Sequence, residues 1–216
     1  MQNLPQQYYW NRVAPTKKFT TTLDIDMVER VVTYDARIVD FGCGYGRTLN
    51  QLYQLGYHNL LGFDFSEAMI KRGGQEYPHL KLSIADHNGI DCESESVDLV
   101  LLFAVLTCLA DDTEQKKLLD EIWRVLKPGA YLYVNDFLLN NDARNVKRYQ
   151  KFIDQYETYG VFELEDGAVL RHHSETYLRQ LLSGFKQEIF KKTVFTTMNG
   201  HSSNGIVVFA KKSKQA

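Results

Sequence analysis

Three glycines at alternate positions, Gly42, Gly44 and Gly46, stand directly behind the apolar run Ile38-Val39-Asp40-Phe41. Glycine tolerates positive φ and carries no Cβ, so a strand ending this way can turn sharply and let a ligand approach its backbone. About twenty residues on, a second apolar run, Leu60-Leu61-Gly62-Phe63, ends in Asp64. A carboxylate there can accept hydrogen bonds from ribose hydroxyls, so the loop and the acid together read as a nucleoside-binding arrangement. Two phosphate-binding patterns fit poorly. In Gly-x-Gly-x-x-Gly the third glycine would fall where Arg47 stands, and Gly-x-x-x-x-Gly-Lys-Ser/Thr would need glycine at Phe41.

The stretch Asp40-Phe41-Gly42-Cys43-Gly44-Tyr45-Gly46 resembles motif I of the class I S-adenosylmethionine-dependent methyltransferases, an acid-x-Gly-x-Gly-x-Gly pattern at the end of a first strand. S-adenosyl-L-methionine, the cofactor this implies, has a cationic amino-acid end and no phosphate. An anionic Asp40 beside the loop is therefore favourable, whereas it would repel a pyrophosphate. The resemblance covers roughly residues 31–212 and implies a set of cofactor contacts. Besides Asp40, Gly42, Gly44, Gly46 and the amide of Cys43, these are Asp64 on both ribose hydroxyls and Phe65 after it. Met69 is expected in the adenine site, behind Ser66 as a helix N-cap. Ser83-Ile84-Ala85-Asp86-His87 matches the third-strand motif, Asp86 taking the adenine amino group and the His87 amide meeting the ring. Residues 97–106 match the fourth strand, which brings Phe103 to the cofactor. Residues 121–130 match the helix and Pro-Gly turn before a fifth strand at 131–135.

The elements that must position these residues alternate. From residue 38 to 135 apolar runs exchange with amphipathic ones such as Leu49, Leu52, Tyr53 and Leu118, Leu119, Ile122, the signature of a parallel sheet wrapped on both faces. Its strand ends share one ligand-binding edge. The expected fold class is α/β: a Rossmann-like, seven-stranded, mostly parallel sheet with helices on both faces, its last strand antiparallel, plus a small inserted cap. A single methyltransferase domain would span 1–216. Within it, 1–30 is expected as an N-terminal lid and 140–173 as an acceptor-binding cap. Residues 1–22 are aromatic and basic without clean periodicity, and 24–32 read as a short helix. Residues 141–159 are helix-like, and Glu165-Asp166-Gly167 between two short apolar runs reads as a hairpin. A helix over 174–182 would start at Ser174 and stop at Gly184, and a long hairpin would close the sheet.

A sulfonium methyl is already activated, so the protein's main task would be to hold an acceptor in line with it and to exclude water. A general base would be an addition, and the candidates are His172 and His173. Adjacent in an extended segment, they would send one side chain inward and one outward, with the sequence silent on which. Asp136, just after the fifth strand, either orients the acceptor or caps the next element. Tyr9 and Trp10, with Tyr8 and Phe19, either close over cofactor and acceptor or pack a sheet edge. Tyr9, Trp10, Asp136 and His172 are thus the expected acceptor contacts.

Apolar residues make up 44% and charged residues 24% of the 216, a mixture that supports a packed core. The formal net charge of −2 argues against a broad nucleic-acid footprint. No apolar run is long enough for a membrane span, the N-terminus lacks a secretory pattern, and the three cysteines form neither a zinc nor a disulfide pattern. The expectation is a cytoplasmic, metal-free methyltransferase, monomer or homodimer, acting on a small-molecule acceptor. The alternatives are a tRNA or protein methyltransferase, or a non-catalytic S-adenosylmethionine-binding partner subunit.

Overall fold

A computed structural model describes residues 4–85 and 89–213, so Asp86 and His87 lie outside the described residues. The apolar runs form strands β1 (Ile38–Phe41), β2 (Leu60–Asp64), β3 (Lys81–Ile84), β4 (Val97–Phe103) and β5 (Leu126–Phe137). A short pair, β6 (Val161–Glu163) and β7 (Val169–Arg171), stands apart from the main sheet, and β8 (Lys186–Thr196) and β9 (Ser202–Lys211) end the chain's regular structure. The helices are α1 (Leu4–Val13), α2 (Ile25–Val31), α3 (Arg47–Gln54), α4 (Glu67–Glu76), α5 (Asp112–Val125), α6 (Ala143–Tyr156) and α7 (Glu175–Leu181). The sheet runs in the order β3-β2-β1-β4-β5-β9-β8. β1 to β5 are mutually parallel, and β9 pairs antiparallel with both β5 and β8. The expected fold class is observed.

β4 shows why the central strands read as continuous apolar runs. Leu99, Leu101 and Phe103 pack on one face with Val28, Leu49 and Leu52, while Val100 and Leu102 pack on the other with Leu118, Ile122 and Leu178. A strand covered by helices on both sides has no polar face. Among the described residues five helices begin at side-chain caps: Asp24, Ser66, Asp111, Asp142 and Ser174 each accept a backbone N–H from their own first turn.

The structure departs from the sequence expectation in three places. Residues 4–13 are a helix despite their poor periodicity. Polar side chains anchor it: Gln7 Nε2 donates to the Phe65 carbonyl at 2.9 Å, and Asn11 Oδ1 accepts from Ser66 Oγ at 2.8 Å and from Ala68 N at 3.2 Å. Tertiary contacts, not an apolar stripe, stabilise it. The helix α7 closes at Leu182, whose N–H returns to Leu178 and Gln180, while Gly184 does not adopt positive φ. Finally, β5 begins before the Pro-Gly turn. Its pairing with β4 jumps from Val97↔Leu126 to Leu99↔Tyr131, so Lys127-Pro128-Gly129 bulges out between paired segments.

That bulge is stapled from the far end of the chain. The Gly129 N–H donates to the Lys212 carbonyl, and the buried Lys212 ammonium donates to the carbonyls of Trp123 (2.8 Å) and Leu126 (2.7 Å) and reaches Glu95. Replacing Lys212 with Met leaves those carbonyls without a donor. Urea denaturation is expected to register a loss of about 1–3 kcal/mol.

Candidate cofactor cleft and adjoining cavity

Because β1, β2 and β4 are parallel, their C-terminal tips meet at one edge, and the glycine loop crosses it. Gly42, Gly44 and Gly46 take φ of 77°, 56° and 83°, a run that side-chain-bearing residues resist. The loop is tied to β2 by backbone bonds, the N–H groups of Gly42 and Cys43 both donating to the Phe63 carbonyl. The Cys43 amide is therefore already engaged, and its thiol packs toward Gly62. Gly46 supplies the backbone N-cap of α3.

Asp64 joins the loop to α4. Its Oδ2 accepts from Gly44 N and its Oδ1 from Ser66 N, each at 2.8 Å. A carboxylate oxygen can accept more than one hydrogen bond, so both retain capacity for a ligand's hydroxyls. Asp40 is buried nearby. Burial, and then the Asp64 carboxylate, push its pKa up to about 8, with Arg47 pulling the other way. Burial likewise raises Asp64 to about 6, against the two amides that stabilise its charge. Arg47 donates to the Thr21 carbonyl, and its Nε is buried without a partner among the described residues. Asp40, Gly42, Cys43, Asp64, Phe65, Met69 and Phe103 all line a single cleft, together with Arg47, which the sequence reading did not single out. Gly44 and Gly46 shape the loop behind it.

The N-terminal segment lies across this cleft. Phe19 stacks on Tyr45 at 5.3 Å with an interplanar angle of 13°, and Trp10 lies against Phe19 at 6.1 Å. A Cβ on Gly44 would collide with the Phe19 ring. The Arg72 guanidinium, 3.7 Å from the Tyr45 ring centroid, donates to the carbonyls of Ala14 and Lys17 and fastens the segment down. The cleft beneath measures about 130 Å³. A second cavity of about 520 Å³ adjoins it, the two sharing Trp10, Phe19, Ala104, Cys108 and Met198. Ala104 has φ of 54°, a conformation that is uncommon without glycine and tends to mark functional sites. Nothing in the sequence distinguishes that alanine.

Tyr9 and Trp10 both line the second cavity, the Tyr9 hydroxyl donating to Asp166 at 3.2 Å across the tip of the β6–β7 hairpin. The two histidines part company there, though both are buried. His172 faces the cavity. Its Nδ1 lies 2.6 Å from the Tyr149 hydroxyl and 3.2 Å from Asn140 Nδ2. The Tyr149 oxygen already accepts the Asn140 N–H, so its proton goes to the imidazole. The network therefore assigns the ring proton to Nε2. Burial, then Arg148, hold the His172 pKa well below its usual value. His173 turns instead into the core, with Nε2 2.8 Å from Gln115 and the ring stacked on Tyr177, and burial lowers its pKa to about 3. The outward side chain expected from alternation is absent because Leu139 N and Phe137 O pair with the His173 backbone and bring its side chain under the sheet. Asp136 lines neither cavity. It accepts from Phe137 N and Thr107 N, capping the short turn Leu106–Cys108, and burial raises it to about 7. Among the described residues no cluster of His, Cys, Asp and Glu could hold a metal ion, and no helix is long and apolar enough to cross a membrane.

Comparison with known proteins gives the arrangement a context. Residues 39–134 match the family model of a methyltransferase domain. The crystal structure of a SAM-dependent methyltransferase from Methanosarcina mazei superposes with a TM-score of 0.83 at 25% identity, covering 88% of this chain and 98% of that one. Trans-aconitate 2-methyltransferase of Deinococcus radiodurans is 34% identical over 125 residues, 57% of this chain and 46% of that protein. The eEF1A lysine and N-terminal methyltransferase of Mus musculus is 26% identical over 121 residues, 51% of this chain and 17% of that protein. The chain thus spans less than half the length of these curated relatives.

The buried carboxyls set a pH dependence. Asp40, Asp136 and Asp64 keep in the folded protein protons that the unfolded chain releases near pH 4, so their contribution to stability falls as pH rises toward about 8. The depressed histidines act oppositely, but only below about pH 6.5, where the unfolded chain would protonate them. The thermal midpoint of the ligand-free protein is therefore expected to fall between about pH 6.5 and pH 8, and Asp40→Asn to flatten that fall, as followed by circular dichroism.

Proposed function

We propose that this chain, which matches a methyltransferase domain over residues 39–134 and is similar to a SAM-dependent methyltransferase along most of its length, moves the sulfonium methyl of S-adenosylmethionine onto a small-molecule acceptor seated in the larger cavity. The observation that carries the acceptor class is that cavity. At about 520 Å³, and bounded by the hairpin, α6 and the N-terminal segment, it falls within the roughly 300–1,000 Å³ typical of small-molecule sites. The names of the relatives include both a small-molecule and a protein acceptor, so the acceptor is argued from this chain's own walls.

The cleft's donor set fits the cofactor. Asp64 has the free acceptor capacity for ribose hydroxyls. The unpartnered Arg47 Nε faces the carboxylate of an amino-acid end, and Asp40 faces its ammonium, a positive charge that favours release of the proton Asp40 otherwise keeps. Phe65 and Met69 furnish apolar walls for adenine. The cofactor supplies a methyl group whose leaving group is a neutral thioether. What the protein adds is position, holding an acceptor lone pair opposite the carbon–sulfur bond near Ala104 and Cys108, where the two spaces meet. As the new bond forms, the carbon–sulfur pair returns to sulfur. An acceptor that carries a proton gives it up to water or buffer in this scheme, because His172 is already protonated on its cavity-facing nitrogen.

We read residues 1–30 as a lid and 140–173 as a cap. The cleft is smaller than the small-molecule range, and Phe19 rests on the glycine loop, so the N-terminal segment has to shift for the cofactor to bind. Its return excludes water from the reacting atoms.

Isothermal calorimetry with S-adenosylhomocysteine tests the cofactor half. Binding on the order of micromolar is expected, and Asp64→Ala should weaken it by about a hundredfold, since hydrogen bonds to a charged group contribute about 1.5–3 kcal/mol each. Absence of heat with both S-adenosylmethionine and S-adenosylhomocysteine would refute the function. Transfer of labelled methyl to a tRNA or protein fraction, with none to small molecules, would refute the acceptor class.

A further inference from the structure

The wall of the larger cavity that is not shared with the cleft carries an unbalanced charge. Arg148 on α6 is half-buried there, its guanidinium carbon 3.5 Å from the ring centroid of the fully buried Phe162. No carboxylate lies within ion-pair distance of it among the described residues, and its Nε is buried with no partner. Beside it, His172 turns its protonated Nε2 to the same space. Its other nitrogen is locked by Tyr149 and Asn140, and Asn140 is held in turn by Ser203 Oγ at 3.0 Å and the Leu138 carbonyl at 2.9 Å. These residues form a pair of donors on one wall of the cavity, where the neutral Tyr149 hydroxyl neighbours the guanidinium and no carboxylate is within ion-pair distance of it among the described residues.

The acids along the cavity are not available to fill that role. Glu163 accepts from the Tyr156 hydroxyl at 2.6 Å and from Gln155 at 2.8 Å, Asp166 accepts from Tyr9, and Glu165 is exposed. Lys17 and Arg144 add further positive charge to the rim.

Resting on the methyltransferase reading above, we propose that the acceptor bears a carboxylate, received by Arg148 and His172 while its reacting atom projects toward Ala104 and Cys108. A partly desolvated guanidinium with an unmet Nε–H and only the neutral Tyr149 hydroxyl beside it is costly to keep, and a planar anion that accepts from two donors relieves it. Stacking on Phe162 fixes the guanidinium and leaves its N–H edges for such a partner. Burial already lowers the Arg148 pKa, and a bound anion opposes that shift. The single charge of a carboxylate suits this site better than a phosphate dianion, which would also meet Glu163, Glu165 and Asp166 on the same walls. An ammonium group would be repelled by Arg148.

The test measures binding of short aliphatic and aromatic carboxylic acids, each beside its primary amide, to the protein saturated with S-adenosylhomocysteine. Thermal shift and calorimetry supply the readout, and S-adenosylmethionine with label detection follows turnover. Acids but not amides are expected to bind. Arg148→Gln should weaken the acids by at least about tenfold, and Arg148→Lys by less, with S-adenosylhomocysteine affinity unchanged in both, which also reports an intact fold. Equal binding of acid and amide, equal affinity in wild type and Arg148→Gln, no acid binding at all, or turnover of amines alone would each overturn the assignment while leaving cofactor binding intact. Failure of S-adenosylhomocysteine to bind the wild type would instead remove the methyltransferase reading, and this inference with it.

Discussion

Two carboxyl groups buried side by side at the tips of β1 and β2 are the constraint on which the site turns. Asp64 is bearable there because two backbone amides, one from the glycine loop and one from the start of α4, point at its oxygens. Among the described residues Asp40 has only the nearby Arg47 to offset burial and the second acid, and its proton is accordingly held to a higher pH. The cleft therefore carries an electrostatic cost that a ligand with a cationic centre would lower. The same interaction shapes the backbone. Asp64 can hold Gly44 N only because the loop turns through three left-handed glycines, and it can hold Ser66 N only because α4 begins at that point. Loop, acid and helix are one unit, and loss of any member releases the others.

The N-terminal segment is coupled to that unit through Phe19. Its ring occupies the volume that a side chain at position 44 would take, and Trp10 and Tyr45 flank it. The bonds that hold the segment down are made mostly by side chains: Arg72 to two carbonyls, Gln7 to Phe65, Asn11 to the first turn of α4, Gln6 to Cys108, Tyr9 and Arg12 to Asp166, and Arg47 to Thr21. Such contacts open at lower cost than a packed core. A segment of this kind can yield to a cofactor without disturbing the sheet, whose central strands are sealed on both faces.

What the sequence disclosed follows from how local each cause is. The glycine run, Asp64, and the caps at Ser66 and Ser174 are legible because a residue type and a short spacing dictate the backbone there. The mostly parallel seven-stranded sheet with its antiparallel last strand followed from the resemblance together with the apolar runs. Helix α1 escaped notice because its stability comes from polar contacts with residues more than fifty positions away. Asp136 shows the limit of strand-end reasoning. Its position at the ligand edge was readable, but its turn back toward Thr107 N depends on a short helical turn elsewhere in the chain. The separate fates of His172 and His173, the left-handed Ala104, and the unpaired Arg148 are all consequences of tertiary packing, with no signature in their neighbours.

The two halves of the site are consequently made of different material. On the cofactor side the decisive groups are backbone amides, glycine torsions and a carboxylate at a strand tip, all inside the residues 39–134 that match the methyltransferase domain. On the acceptor side they are side chains of α6, the β6–β7 hairpin and the loop to α7, which follow that span. Backbone-built recognition survives many changes of sequence, whereas a pair such as Arg148 and His172 is altered by a single substitution. On the proposed reading, a sheet that fixes the methyl donor through its main chain leaves the acceptor to be chosen by the segment that follows β5. The Tyr149–His172–Asn140–Ser203 chain ties that segment to β9 and keeps the His172 proton facing the cavity instead of the core, the orientation the proposed acceptor site requires.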